Sequence, residues 1–142
     1  MPEPVEFVKF SQASLTSPGL FTFTRPLKVG EDNKEYFRGK VAILVDESTL
    51  SQAEYTTMAL RVAPGAVVIG STTAGADGNV STVMLPGNIR TMISGIGVYY
   101  PDGSETQRVG IVPDIKIKPT IEAIRKGLDE FLEKALEIIG NN

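Results

Sequence analysis

Apolar and polar positions alternate along this chain in runs that predict a mixed α/β fold. Val41–Val45 is unbroken in apolar residues, which is typical of a strand buried on both faces. A helical pattern follows over residues 52–63 and stops at Pro64 and Gly65, and residues 66–71 read as a second buried strand. Strand, helix and strand in this order indicate a parallel βαβ-type unit, in which the strand-to-helix turn commonly carries function.

Further strands are predicted on both sides of that unit. Residues 5–10 and 20–24 are short, aromatic-rich pieces separated by Ser, Pro and Gly, and we expect them to pack on the core. Residues 91–100 predict a third, longer strand, followed by a turn at residues 101–104. Residues 109–119 predict an irregular or edge strand, because Pro113 lies in its middle.

The end of the chain has the clearest helical period. Residues 120–139 predict one amphipathic helix ended by Gly140, since apolar residues recur there at steps of three and four. Its apolar positions are Ile121, Ile124, Leu128, Phe131, Ala135 and Ile139.

Composition excludes several classes of function. The 142 residues suit one domain, and a net charge of −3 with no basic run predicts neither nucleic acid nor an anionic membrane as partner. Cysteine is absent, which excludes disulfides and thiolate metal sites, and no ligand cluster predicts a metal or other cofactor. No apolar run reaches the roughly 20 residues of a membrane-spanning helix, and the acidic, Pro-rich start is unlike a signal peptide.

Ser51 begins the first predicted helix and has two interpretations. Ser51 and Glu54 have the spacing of a capping box, which is a common structural device. The same position faces the positive end of the helix dipole, where the amides that follow stabilise an oxyanion, so Ser51 is also a candidate nucleophile. The G-x-S-x-G elbow of esterases is absent, and the chain contains no histidine to act as the usual base.

A glycine-rich loop follows the second predicted strand. The stretch GSTTAGADGN contains Gly70, Gly75 and Gly78, which allow tight turns and a close approach of the backbone to another group. It lacks the lysine of a phosphate-binding loop, and Asp77 with Gly78 also fits a simple hairpin turn.

Three blocks, LVDESTLSQAEYTTMAL, VVIGSTTAGADGNVSTVMLP and GIGVYYPDGSETQRVGIVPDI, resemble the core of the C-terminal-processing, or tail-specific, serine peptidases. The resemblance covers residues 39–119. The family that these blocks resemble includes the tricorn-protease core. It implies a crotonase/ClpP-like fold with a nucleophile-bearing helix. It also implies protein or peptide substrates and a periplasmic or cell-envelope location. On this basis residues 1–40 are a connector and residues 41–142 are the C-terminal part of the catalytic domain.

The resemblance assigns roles to individual residues. Ser51 matches the nucleophile of the family. The backbone N–H of Gln52 would then form half of the oxyanion hole, and Glu54 matches a residue that serves as a structural cap. Ala76 or Asp77 stands where lysine-dependent members carry their base, and Ser81 falls at their glutamine position.

Late in the chain the resemblance marks an acidic position used by tricorn-like members. Gln107 falls close to this position, with Glu105 beside it. Asp77, Glu105 and Gln107 are therefore candidate supporting residues.

The missing base leaves three hypotheses. In the first, the chain is part of a peptidase whose histidine and second oxyanion glycine lie upstream, and the face left uncovered promotes self-association. In the second, it is a degenerate relative that binds peptide or a small apolar ligand without cutting it. A crotonase-type acyl-CoA enzyme ranks last, because it needs no serine at position 51.

Overall fold

The computed structural model describes residues 1–140, which form a mixed α/β fold with three small sheets and three helices. The strands are β1 (Val5–Ala13), β2 (Phe21–Phe23), β3 (Leu27–Val29), β4 (Val41–Val45), β5 (Ala66–Gly70), β6 (Val80–Leu85), β7 (Ile89–Ser94), β8 (Val98–Tyr99) and β9 (Ile115–Lys116). The helices are α1 (Gln52–Arg61), α2 (Ile121–Lys126) and α3 (Glu130–Gly140).

The predicted βαβ unit is confirmed. Strands β4 and β5 pair in parallel, with α1 as the connection between them, and β9 adds to β5 as a parallel edge strand. Ile43, Val45 and Val68 form the core of this sheet. Leu44 is 42% exposed, so β4 is buried mainly on one face and the prediction of burial on both faces is wrong. The crotonase/ClpP-like assignment stays a prediction.

A second sheet joins the start of the chain to α1. Strand β1 pairs antiparallel with β2, β3 and β8. Phe7 and Val8 of β1 are buried in one cluster with Met58 of α1, Val98 and Ile111. Strands β1 and β2 correspond to the pieces predicted at residues 5–10 and 20–24, and β1 packs on the body of the protein. The division into a connector and a catalytic part stays a prediction.

The third predicted strand, residues 91–100, is wrong as one element. Its first part is β7, which forms a hairpin with β6 through a turn at residues 86–88, and its last part is β8 in another sheet. The break falls at residues 95–97, where a Cβ on Gly97 would lie 2.9 Å from the Ser11 hydroxyl oxygen. Asp77 and Gly78 lie before β6, so they do not form a hairpin turn.

The predicted C-terminal helix is divided in two. Gly127 adopts a left-handed conformation with φ 69°, and its N–H donates to Ala123 and Ile124, which ends α2. Asp129 then accepts from the N–H of Leu132 at 3.0 Å, which caps the start of α3. Ala135 is buried as predicted, whereas Ile121 is 71% exposed. Within residues 1–140 no helix has the length and apolar character needed to cross a membrane.

Candidate active site

Ser51 lies at the N-terminus of α1, immediately after the turn that leaves β4, as the sequence predicts. Its backbone is unusual for a residue with a side chain, since φ is 53° and ψ is −122°. Such a conformation costs on the order of 1–3 kcal/mol and persists only when surrounding contacts enforce it. A serine on a strained strand-to-helix turn is also the device that exposes the nucleophile of α/β-hydrolases.

Glu54 enforces this turn and is more than a helix cap. Ser51 and Glu54 are arranged as a capping box, in which the Glu54 carboxylate accepts from Ser51 N–H at 3.1 Å. Glu54 is fully buried and also accepts from the N–H groups of Gly75 at 2.8 Å and Ala76 at 3.0 Å, and from the Thr73 hydroxyl.

The glycine-rich loop is held against α1 by these contacts. Ser51 N–H also donates to the carbonyl of Ala76 at 3.1 Å, and Ala74 N–H donates to Thr49 at 2.9 Å. Thr73 links the loop to the late motif, because its hydroxyl oxygen accepts from Ile111 N–H at 2.7 Å. The three blocks noted in the sequence therefore meet around one buried carboxylate.

A cleft of about 430 Å³ opens beside Ser51. Gln52, Asp77 and Gly78 line it, together with residues of β1 that include Phe10. The Gln52 N–H makes no hydrogen bond outside α1 in the part of the chain that the structure describes. A free N–H in the first turn of a helix, beside a serine, is the geometry that binds a developing oxyanion.

Asp77 is buried at the edge of this cleft. It is 6% exposed, and its Oδ1 accepts from Gly78 N–H at 2.7 Å. Burial raises the pKa of Asp77 above its usual value, and the neighbouring Glu54 charge adds to this effect, against the lowering effect of the Gly78 hydrogen bond.

Gln107 ties the loop to the strand behind it. Its side-chain N–H groups donate to the carbonyls of Asp77 at 2.7 Å and Ile96 at 3.2 Å. A Cβ on Gly78 would lie 2.6 Å from this amide nitrogen, which explains a glycine there. Gln107 thus lies beside the loop but lines a smaller neighbouring cavity, and Glu105 is exposed and lines neither cavity.

Ser51 and Asp77 are thus brought to one cleft, while Glu105 is not. Sequence reasoning missed Thr73, although it lies in the glycine-rich stretch GSTTAGADGN. It also missed the aromatic wall formed by Phe10 and Tyr55. Phe10 carried no signal for this role, because only the fold brings β1 to the helix.

The strain at Ser51 predicts an unequal response to two substitutions. Gly tolerates the observed φ and Ala does not, so Ser51→Gly should have a higher free energy of unfolding than Ser51→Ala. Thr120, the N-cap of α2, has an ordinary φ of −84° and provides the matched control. At each position, the quantity to compare is the free energy of unfolding of the Gly variant minus that of the Ala variant, measured by urea denaturation. This difference should be larger at position 51 than at position 120 by about 1–2 kcal/mol. Equal differences at the two caps would mean that Ser51 is not strained.

A serine on a strained turn, beside a glycine-rich loop in a mixed α/β fold, resembles the arrangement of serine hydrolases. The sequence model that describes Peptidase family S41 matches residues 7–117 of this chain. The chain belongs to this peptidase family.

Solved structures share the fold. A predicted peptidase of Parabacteroides merdae is 23% identical with a TM-score of 0.84, and the match covers 98% of this chain and 44% of that one. Mature CPAF in complex with lactacystin is 25% identical with a TM-score of 0.69, over 84% of this chain and 26% of CPAF. The photosystem II D1 C-terminal processing protease is 17% identical with a TM-score of 0.61, and the match covers 99% of this chain and 33% of that protease.

A curated protein of Chlamydia trachomatis is 29% identical over 103 residues, which are 70% of this chain and 17% of that protein. A second relative, from Chlamydia muridarum, matches over the same shares of the two chains. The chain thus spans less than a fifth of the length of the curated relatives it matches.

Proposed function

We propose that this chain supplies the nucleophile of a serine peptidase that cuts proteins or peptides near their ends. The observation that supports this most is the strained turn that places Ser51 beside an open cleft and the free N–H of Gln52. The Ser51 hydroxyl would attack the peptide carbonyl carbon, and Gln52 N–H would stabilise the oxyanion. The amine would then leave with a proton, and water would hydrolyse the acyl-enzyme.

The base for this reaction is proposed to lie outside these residues. The chain has no histidine, and Ala76 or Asp77 stands at the position of the lysine base in other members. The match to less than half of the Parabacteroides merdae structure is consistent with a longer parent that brings further residues to the cleft. By resemblance, we place that parent in the cell envelope and assign the crotonase/ClpP-like core to it.

A serine-reactive phosphonate tests this function. The 142-residue chain should label at Ser51 slowly or not at all, because a serine hydroxyl without a base is a weak nucleophile. The parent with its own upstream sequence should label about 10²- to 10⁴-fold faster, which is the usual contribution of a general base. The modified peptide is identified by mass spectrometry.

Two variants make the labelling result specific. Ser51→Ala in the parent should abolish labelling, whereas Ser48→Ala should not, because Ser48 is an exposed turn residue that lines neither cavity. Rapid labelling of the short chain would contradict the proposed external base. A folded parent that never labels would instead favour the degenerate binding protein, for which the missing base is the supporting observation.

The hairpin of β6 and β7 is the proposed site of self-association. All twelve residues of its two strands are exposed, and within residues 1–140 neither outer edge pairs with another strand. Val83, Leu85, Ile89 and Ile93 share one face of this hairpin by their register. A two-stranded hairpin is marginal alone, and free edges with apolar side chains attract further strands, so we assign a second copy of the chain to this face.

A further inference from the structure

Asp77 has a carboxylate oxygen without a partner. Its Oδ2 is buried and accepts no hydrogen bond from any of residues 1–140, although Oδ1 is bonded to Gly78 N–H. The residue is 6% exposed and lines the same cleft as Ser51. A buried carboxylate normally has every oxygen satisfied, so this orphan atom points to a partner group that residues 1–140 do not supply.

The charges around Asp77 leave its carboxylate uncompensated. Glu54 on α1 is the nearest like charge, and it adds to burial in raising the pKa of Asp77. Arg108 shares the smaller cavity with Asp77 but makes no ion pair with it within 4.0 Å. Tyr55 is the other titratable residue that lines the cleft. The lining of the cleft therefore includes one acid and no cation.

One side of the cleft is apolar, while the rest carries neutral polar side chains, those of Ser11, Gln12, Thr24, Gln52 and Asn79. Phe10 stacks on Tyr55 with ring centroids 6.3 Å apart, and Ile96 and Val98 complete the apolar side. An apolar wall that leads to a single carboxylate suits a lysine or arginine side chain. Its alkyl stem packs on the wall while its charged head pairs with the acid.

We propose that Asp77 selects a substrate with a basic side chain next to the bond that Ser51 attacks. This inference rests on the proposed function, because it treats the cleft beside Ser51 as the peptide site. The Asp77 carboxylate turns about χ2, which is a soft torsion in aspartate, and Oδ2 then accepts from the ammonium or guanidinium group. Ser51 makes no hydrogen bond with Asp77, so the carboxylate is assigned to binding and not to proton abstraction.

Three small amides test the site by NMR titration of the whole chain. N-acetyl-lysine amide should bind about tenfold more tightly than N-acetyl-norleucine amide, since a charge-assisted hydrogen bond of about 1.4 kcal/mol corresponds to that ratio. Norleucine amide with a free amino group tests whether a peptide N-terminus is recognised instead. The lysine amide should lose affinity as the pH falls through the pKa of Asp77, because the cation binds the ionised carboxylate.

Variants connect the preference to Asp77. Asp77→Asn should remove the lysine preference, and Asp77→Glu should keep part of it, since the charge is retained. Asp32→Asn, in an exposed loop outside the cleft, should leave it unchanged. Equal affinity for the lysine and norleucine amides in the folded wild-type chain overturns the inference, as does tighter binding of the free amino group.

Labelling separates this inference from the proposed function. Absence of a lysine preference in the wild-type chain, with normal phosphonate labelling of the parent at Ser51, would refute the basic subsite alone. Loss of labelling by a neutral phosphonate in the parent carrying Asp77→Asn would show that Asp77 serves the nucleophile, and would also overturn the subsite. Absence of labelling in the wild-type parent would contradict the proposed function whatever the amides show.

Discussion

Glu54→Gln should lower the free energy of unfolding by about 3–5 kcal/mol, since buried donors would lose the charged acceptor that they share. The carboxylate accepts from the N–H groups of Ser51, Gly75 and Ala76 and from the Thr73 hydroxyl. A glutamine has the same size but turns an N–H₂ group toward some of these donors. Urea denaturation followed by circular dichroism measures the loss.

Glu122→Gln is the matched control for this substitution. Glu122 lies on the surface of α2 and pairs with Lys126 one turn later, at 2.6 Å. Exposed pairs of this kind contribute about 0.3–0.5 kcal/mol, so the control should be nearly as stable as the wild type. A Glu54 variant as stable as the Glu122 variant would refute the role of Glu54 as the centre of the site.

Ile93→Lys should keep the chain monomeric at concentrations at which we expect the wild type to self-associate. Ile93 is 60% exposed on the face of the β6–β7 hairpin that also carries Val83, Leu85 and Ile89. A lysine there would bring like charges together across a symmetric contact and would leave them without counterions in an apolar surface. Light scattering at increasing protein concentration should show a growing mass for the wild type and a constant monomer mass for the variant.

Thr82→Lys tests whether the effect belongs to the face and not to added charge. Thr82 pairs with Met92 on the opposite face of the same hairpin, so its lysine should leave self-association in place. A wild-type chain that stays monomeric at every concentration, or two lysine variants that behave alike, would contradict the assignment of this face to a second copy.

The sequence predicted the elements whose signals are local. The apolar run of β4, the helical pattern of α1 and the capping box at Ser51 each depend on neighbouring residues, and each is present. The predicted strand over residues 91–100 was wrong because its apolar content is divided between β7 and β8, which pair with different partners. The C-terminal helix was predicted as one because Gly127 lies within an otherwise continuous apolar period.

The candidate site was predictable in part for the same reason. Ser51 and the glycine-rich loop carry recognisable spacing, so the sequence nominated both. The burial of Asp77 could not be predicted from the sequence. It depends on the contact between the glycine-rich loop and Gln107, which lies about thirty residues further along the chain. The four hydrogen bonds that the Glu54 carboxylate accepts could not be predicted either, since a capping box predicts only the one with Ser51.

The position of Glu54 has a consequence for motion. Its hydrogen bonds tie α1 to the glycine-rich loop, and Thr73 extends the tie to Ile111 in the core. Opening the loop would break several buried hydrogen bonds together, so the loop lacks the low-energy local unfolding that exposed loops commonly have. Amide hydrogens at Gly75, Ala76 and Ile111 should therefore exchange with solvent through one shared event, and the serine turn and its loop form a single cooperative unit.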